Sequence, residues 1–305
     1  MPPLSFSAIL DTGSDLIWAQ CKPCINCYQQ PSPVYDPSRS STYITVPCTD
    51  SLCVALPAFL CNNNGACKYN YTYADQSFTR GILSFETFAF SSQSLPLIAF
   101  GCGNDNGGVG LQGSGVVGFR RGPLSLVSQL GPSLGNRFSY CLVSVTDSPS
   151  KTSPLFLGHT ASLNAMTVSS TPIIQSSANP SFYYLSLEEI SVGGQSLSIP
   201  AGIFDLQPDG SGGLIIDTGT TYSFLPQTAY NAVKEALRAS VDLPRANASS
   251  ISLDFCFNKQ GSSNPSFPTM TKDCLGKKCQ CNVMYLFVGL FNMYCILVVE
   301  VISKC

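Results

Sequence analysis

Asp11-Thr12-Gly13-Ser14 and Asp217-Thr218-Gly219-Thr220 set a carboxylate in the same local context twice. Each copy follows an apolar run, Phe6-Ser7-Ala8-Ile9-Leu10 before the first and Gly213-Leu214-Ile215-Ile216 before the second. A charged group placed directly after a buried strand is unfavourable unless something compensates it. Its repetition two-thirds of the chain away implies that the two ends meet. Two carboxylates about 3 Å apart cannot both ionise cheaply, so such a pair holds one proton between them. The ionised member can take a proton from an intervening water while the neutral member donates to a carbonyl oxygen. That is general acid–base hydrolysis with no covalent intermediate, and its titration belongs to the pair rather than to Asp11 or Asp217 alone.

The neighbouring residues suit this chemistry. Gly13 and Gly219 permit tight turns and close backbone approach. The Ser14 and Thr220 hydroxyls can donate to the outer carboxylate oxygens and favour the charged form. Thr12 and Thr218 can lock the two loops by hydrogen bonds across them. A single Asp-Thr-Gly is usually only a turn; two copies in matched settings carry the functional reading. Other mechanisms fare worse. A Ser or Cys nucleophile would depend on the single histidine, His159, which sits in a strand-end context, Leu157-Gly158-His159-Thr160. Gly101-x-Gly103 and Gly107-Gly108 lack the following helix that a phosphate-binding loop requires, so no cofactor is expected.

These loops must be positioned by a chain of 305 residues, 44% hydrophobic and 11% charged, with net charge −2. That length allows two compact lobes. The charge gives no basis for binding nucleic acid. Low charge with abundant Ser, Thr, Gly and Pro fits an all-β globular protein. There are 15 cysteines. The density of Cys21, Cys24, Cys27, Cys48, Cys53, Cys61, Cys67 and Cys102 indicates a disulfide framework formed in an oxidising compartment rather than a zinc site, so no metal is expected. Eight cysteines allow about a hundred pairings, and spacing does not choose among them.

Residues 4–10 read as a strand, and 21–67 as a cross-linked surface insertion. Tyr69-Asn70-Tyr71-Thr72-Tyr73, the turn Ala74-Asp75-Gln76-Ser77 and a return strand past Gly81 read as a hairpin. Gly115-Val116-Val117-Gly118 reads as a short strand, and helices are expected to open at Pro123 and Pro226. Sequons stand at Asn70 and Asn247, the latter in a polar loop suited to glycosylation. The organisation expected is a first lobe over 1–150, a partial second lobe over 151–271 and an atypical tail over 272–305. The tail's apolar run 283–302 is long enough for a weak membrane-anchor candidate; buried strands and sequence foreign to the fold compete, and the last is favoured. Met1-Pro2-Pro3 leads into the first strand without a signal-peptide pattern, which points to an incomplete N-terminus.

The chain resembles the pepsin-like aspartic peptidases, specifically their plant nepenthesin-like branch, over roughly residues 2–271. Leu10-Asp11-Thr12-Gly13-Ser14-Asp15-Leu16-Ile17-Trp18 and Ile216-Asp217-Thr218-Gly219-Thr220 carry the resemblance. Pepsin-type dyads are themselves the standard case of the proton sharing described above. The resemblance implies an all-β, bilobal pepsin-like fold with an active-site cleft between two β lobes, the second lobe here incomplete. It implies an aspartic-type endopeptidase in which Asp11 and Asp217 activate water, acting on extended protein or peptide substrates. A monomer is expected, secreted to an extracellular or vacuolar space. Tyr73-Ala74-Asp75 matches the substrate-binding flap, with Ala74 departing from Gly, and Arg120 departs from a usual Gly after Val116-Val117-Gly118. The implied disulfides are Cys21–Cys24, Cys27–Cys102, Cys48–Cys67 and Cys53–Cys61, with Cys141 and Cys256 left without partners. Phe287-Val288-Gly289 is a formal match to the second apolar-apolar-Gly segment. Two alternatives stand beside the enzyme: a non-catalytic glycosidase-inhibitor-like binding protein on the same fold, and an inactive truncated product.

Overall fold

The computed structural model describes residues 3–90, 93–108, 113–140, 142, 151–161, 170–220, 223–246, 255–258, 267–274, 277–283, 285–290 and 293–298. The chain divides into two compact units. The first comprises Met1–Asn136 with Pro180–Phe182 and Asp217–Gly219; the second holds Arg137–Asn179, Tyr183–Ile216 and Thr220–Cys305. The division expected at residue 150 lies outside the described residues, as does the sequon at Asn247.

The first unit is built on one eight-stranded sheet. Its strands are β1 (Ile9–Asp11), β2 (Trp18–Gln20), β3 (Ile44–Thr45), β4 (Phe59–Cys61), β5 (Cys67–Thr72), β6 (Phe78–Phe90), β7 (Gln93–Gly107) and β8 (Gly115–Gly118). They run in the order β1-β8-β2-β7-β6-β5-β4, with β3 beside β6. Strand β5 shows why the hairpin forms: Cys67, Tyr69 and Tyr71 are buried while Lys68, Asn70 and Thr72 are exposed, the period of two of a half-buried strand. Opposite it, β6 carries a register shift between Arg80 and Gly81, where a β-carbon on Gly81 would lie 1.9 Å from the Cys102 carbonyl oxygen. Strand β1 is shorter than the 4–10 expected because its partner β8 matches only Ile9, Leu10 and Asp11. The first helix of the sheet's flank, α1 (Ser51–Val54), is capped by the Asp50 side chain. The second, α2 (Leu126–Leu130), begins at Ser125, whose hydroxyl accepts from the Ser128 N–H; Pro123 lies in the turn before it, so the helix starts later than Pro123. The insertion 21–67 is more than surface decoration. Val46, Cys53 and Leu56 from it join Trp18, Leu83 and Leu124 in the core.

The eight cysteines between 21 and 102 are all in disulfides, but the pairing differs from the implied one. The bonds are Cys21–Cys102, Cys24–Cys27, Cys48–Cys61 and Cys53–Cys67. The sheet decides this. Parallel pairing of β2 with β7 sets Ala19 opposite Cys102 and Gln20 opposite Gly103, and the Cys21 N–H donates to Gly103 O at 2.7 Å, so Cys21 is delivered to Cys102. Cys53 and Cys67 are both fully buried and bond to each other, leaving the exposed Cys61 to Cys48.

The second unit has β9 (Phe138–Tyr140) paired with β10 (Leu155–Leu157), and β11 (Tyr184–Leu185) paired with β14 (Leu214–Ile215). A four-stranded sheet joins β12 (Leu187–Val192) to β13 (Gln195–Ser196), β17 (Met270–Cys274) and β18 (Lys277–Val283). Another joins β15 (Arg245–Ala246), β16 (Cys256–Asn258), β20 (Met293–Val298) and β19 (Tyr285–Leu290). Helix α3 (Gln227–Ser240) follows Pro226; it buries Ala229, and its Val233 and Leu237 join Ile190, Phe257 and Met270 in one core. Each fully buried Val or Leu there contributes about 1.5–3 kcal/mol. The tail boundary expected at 271/272 falls inside β17, whose Met270, Lys272 and Cys274 are buried. Lys277–Val283, Tyr285–Leu290 and Met293–Val298 form strands β18 to β20, and among the described residues no helix is long and apolar enough to cross a membrane. Phe287-Val288-Gly289 lies in β19 and pairs with β20, not with the strand before Asp217. Cys256, expected to lack a partner, is disulfide-bonded; Cys141 lies outside the described residues.

Candidate active site

Strand β1 ends on Asp11, with Asp11 in register with Gly118 of β8. The Phe119 N–H donates to Asp11 O at 2.7 Å and the Arg120 N–H to Ser14 O at 3.1 Å, so β8 braces the loop from one side. A β-carbon on Gly118 would lie 2.3 Å from Asp15 backbone atoms, which explains the glycine at that step. Inside the loop, the Gly13 N–H donates to Asp11 Oδ1 at 2.8 Å and the Ser14 hydroxyl donates to Asp11 Oδ2. Thr12 and Ser14 are both buried.

Asp217, Thr218 and Gly219 fold with the first unit although β14, which precedes them, belongs to the second. Their local geometry repeats the first loop: the Gly219 N–H donates to Asp217 Oδ1 at 2.8 Å. The two loops exchange threonine bonds. The Thr12 N–H donates to Thr218 Oγ1 at 3.0 Å and the Thr218 N–H to Thr12 Oγ1 at 2.9 Å. The Thr218 hydroxyl then donates to Leu10 O at 2.7 Å. This exchange sets the carboxylates face to face. A β-carbon on Gly13 would lie 2.5 Å from the Asp217 carboxyl, and one on Gly219 would lie 2.3 Å from Asp11 Oδ1. Thr220, the positional counterpart of Ser14, is exposed.

The Asp11 carboxyl is pushed up from its ordinary 3.8 to about 6. Burial is the largest cause; the negative charge of Asp217 and a hydrogen bond to it act in the same direction, while the Ser14 hydroxyl and Gly13 N–H oppose them. One proton on the pair is therefore retained well above the usual carboxylate range.

Tyr73 stands at the mouth of the β5–β6 hairpin, where its N–H donates to Ser77 O at 2.8 Å. The Trp18 indole N–H donates to the Tyr73 hydroxyl at 2.7 Å, and that hydroxyl also reaches Ser14. Burial, with Tyr71 beside it, holds the Tyr73 phenol well above its ordinary 10, so it stays protonated. A path of hydroxyls thus runs from Trp18 through Tyr73 and Ser14 to Asp11. Asp75 is exposed, and its carboxylate accepts from the Ser77 N–H at 2.9 Å and the Ser77 hydroxyl at 2.6 Å, shaping the turn. The positive φ of the turn falls on Gln76 at 70°, which leaves Ala74 unstrained. His159 is exposed in a 3₁₀ turn of the second unit.

Sequence reasoning did not single out Asp15, Gly122, Ser181 or Phe182. Asp15 accepts from the Gly122 N–H at 2.8 Å, lies 4.0 Å from Arg120 and is hydrogen-bonded by Ser181. Burial raises its carboxyl above the ordinary value, against the pull of these three partners. Only its position beside Ser14 could have marked it.

Residues 1–159 match the family model described as xylanase inhibitor N-terminal, and residues 182–282 the model described as xylanase inhibitor C-terminal. The aspartic proteinase nepenthesin-2 of Nepenthes gracilis is 50% identical over 259 residues, 85% of this chain and 58% of the relative. A probable aspartic protease of Arabidopsis thaliana is 37% identical over 315 residues, covering 97% of this chain and 70% of its own length. The crystal structure of edgp shares the fold, with a TM-score of 0.63 and 19% identity over 96% of this chain and 79% of that one. The chain belongs to the pepsin-like aspartic peptidase family, in its plant nepenthesin-like branch. It spans 58% of the length of the nepenthesin-2 relative.

Proposed function

We propose that this chain is an aspartic-type endopeptidase. In this reading Asp11 and Asp217 share one proton. The ionised carboxylate removes a proton from a water lying between them, the water oxygen attacks the scissile carbonyl carbon, and the neutral carboxyl donates to the carbonyl oxygen. The tetrahedral intermediate then collapses, breaking the C–N bond as the amine takes a proton. Thr12, Gly13, Ser14, Thr218 and Gly219 hold the pair, with Thr220 supporting the second loop. Tyr73 covers the substrate as the flap, and Asp75 keeps the flap turn in shape. The observation that carries the reading is the threonine exchange that brings the Asp217 carboxyl within 2.5 Å of where a Gly13 β-carbon would stand. Extended peptide substrates, with apolar residues beside the cut, and action in a secreted or vacuolar space follow from the family; the four disulfides of the first unit support an oxidising environment.

The test is cleavage of an unfolded protein substrate at acid pH with and without a statine-type transition-state analogue. Cleavage that the analogue blocks and Asp11→Asn abolishes supports the reading. A folded chain that cleaves nothing, or cleaves regardless of the analogue, overturns it. A second reading, a glycosidase-inhibitor-like binding protein, draws only on the descriptions of the two matching family models and fits less well than the peptidase reading, since the relatives reported above are named aspartic proteinases. Tight binding of a xylanase without any peptide cleavage would establish that reading instead.

A further inference from the structure

Arg120 directly follows β8 and Phe119, and its surroundings tie together two stretches that the dyad depends on. Its N–H holds Ser14 O at 3.1 Å. Its guanidinium carbon lies 3.2 Å from the centre of the Phe182 ring, and its Nη1 lies 4.0 Å from Asp15 Oδ2 with only 14% of the side chain exposed. Among the described residues its buried Nε has no hydrogen-bond partner, so stacking and charge hold this side chain in place. Beside it, the Arg121 N–H donates to Ser181 O at 3.1 Å and the Arg121 guanidinium to Phe182 O at 2.7 Å. Pro180–Phe182 accordingly folds with the first unit.

The residue after Phe182 is where this matters. Tyr183 O accepts from the Ile216 N–H at 3.1 Å, and Tyr184 and Leu185 pair with Ile215 and Leu214. Ile216 is bonded covalently to Asp217. The ring under Arg120 is thus one residue from the ladder that ends at the second carboxylate, while Asp15, its ionic partner, is four residues from the first.

We propose that Arg120 is a positioning residue for Asp217: by stacking on Phe182 while pairing with Asp15, it anchors the chain entering β11 and so fixes the strand that presents Asp217 to Asp11. Loosening Phe182 lets the β11–β14 pair shift and carries Asp217 away from Asp11. The ionisable groups facing Asp11 are Asp217, Tyr71 and Tyr73. Moving Asp217 away removes a charge that raises the Asp11 carboxyl, so Asp11 should titrate lower.

The inference rests on the endopeptidase reading only for its activity readout, so the test pairs kinetics with a titration that needs no turnover. Carboxyl ¹³C NMR follows Asp11 in the wild type, Arg120→Ala, Arg120→Lys and Phe182→Leu, alongside kcat and KM per inhibitor-titrated molecule. Arg120→Ala and Phe182→Leu should each lower the Asp11 midpoint and lower kcat about tenfold with KM nearly unchanged. The double variant should be no worse than the more impaired single one. Arg120→Lys, which keeps charge but not the flat stacking surface, should fall between and keeps the test valid if Arg120→Ala does not fold. A lowered melting temperature with unchanged Asp11 titration and unchanged kcat overturns the proposal and leaves Arg120 a purely structural residue. A wild type without proteolysis sinks the endopeptidase reading, and the titration comparison still decides the role of Arg120.

Discussion

In the loop after β1, Asp11 is 7% exposed, Ser14 donates to it, and β8 lies alongside in register. In the loop after β14, Asp217 is half-buried, Gly219 and Thr220 are exposed, and β14 pairs with the two-residue β11. The same Asp-Thr-Gly therefore folds into the same internal hydrogen bonds with very different support. Backbone geometry within each loop is local and follows from Asp, Thr and Gly. Burial and bracing are not local, and burial is what raises the Asp11 carboxyl. The threonine exchange is what imposes symmetry on these unequal halves.

The equality of the two halves in catalysis is tested first by Asp11→Asn and Asp217→Asn. On the endopeptidase reading proposed above, each should lower kcat by about 10³-fold or more despite the difference in burial, since that mechanism needs both groups. A large effect from only one would break the pairing of the loops, and kinetics at saturating peptide measures it. Next come Gly13→Ala and Gly219→Ala, whose added methyl groups would press on the opposing carboxyls at 2.5 and 2.3 Å. Both should lose activity by about a hundredfold, the effect of displacing a reacting group by about an ångström.

Stability sharpens the comparison further. Thr218→Val removes the acceptor for the Thr12 N–H and the donor to Leu10 O, and should cost about 2 kcal/mol in denaturant unfolding. Thr12→Val removes the acceptor for the Thr218 N–H and should cost about 1 kcal/mol. Equal costs would mean that the exchange, not the extra Leu10 bond, dominates. The burial of Asp11 gives a pH test. Its folded value of about 6 lies above its ordinary 3.8, so the folded state binds more protons in that interval. Its contribution is complete below about 3.8 and is lost as pH rises through about 6. Asp11→Asn should therefore gain on the wild type across this window. Above it the gain should reach about 3 kcal/mol, the free energy of ionising a carboxyl against its buried surroundings. Unfolding curves measured at acid and at neutral pH check the sign. Smallest is Tyr73→Phe, which deprives the Trp18 N–H of its acceptor and should cost about 1 kcal/mol.

What could be read from the chain alone was whatever depends on neighbours in sequence. The alternation of Tyr69, Asn70, Tyr71 and Thr72 marks a strand, the run after Pro226 marks a helix, and the doubled Asp-Thr-Gly marks a candidate dyad, because each of these is decided within a few residues. Tertiary structure alone decided the rest. Cys21 meets Cys102 because β2 and β7 pair in parallel, a contact 81 residues long that no local spacing encodes. Arg120 likewise meets Asp15 and Phe182 through contacts between residues far apart in sequence. Above all, the two loops share Asp-Thr-Gly, yet Asp11 is the buried one, because burial depends on which strands cover a group and not on the residue that carries it.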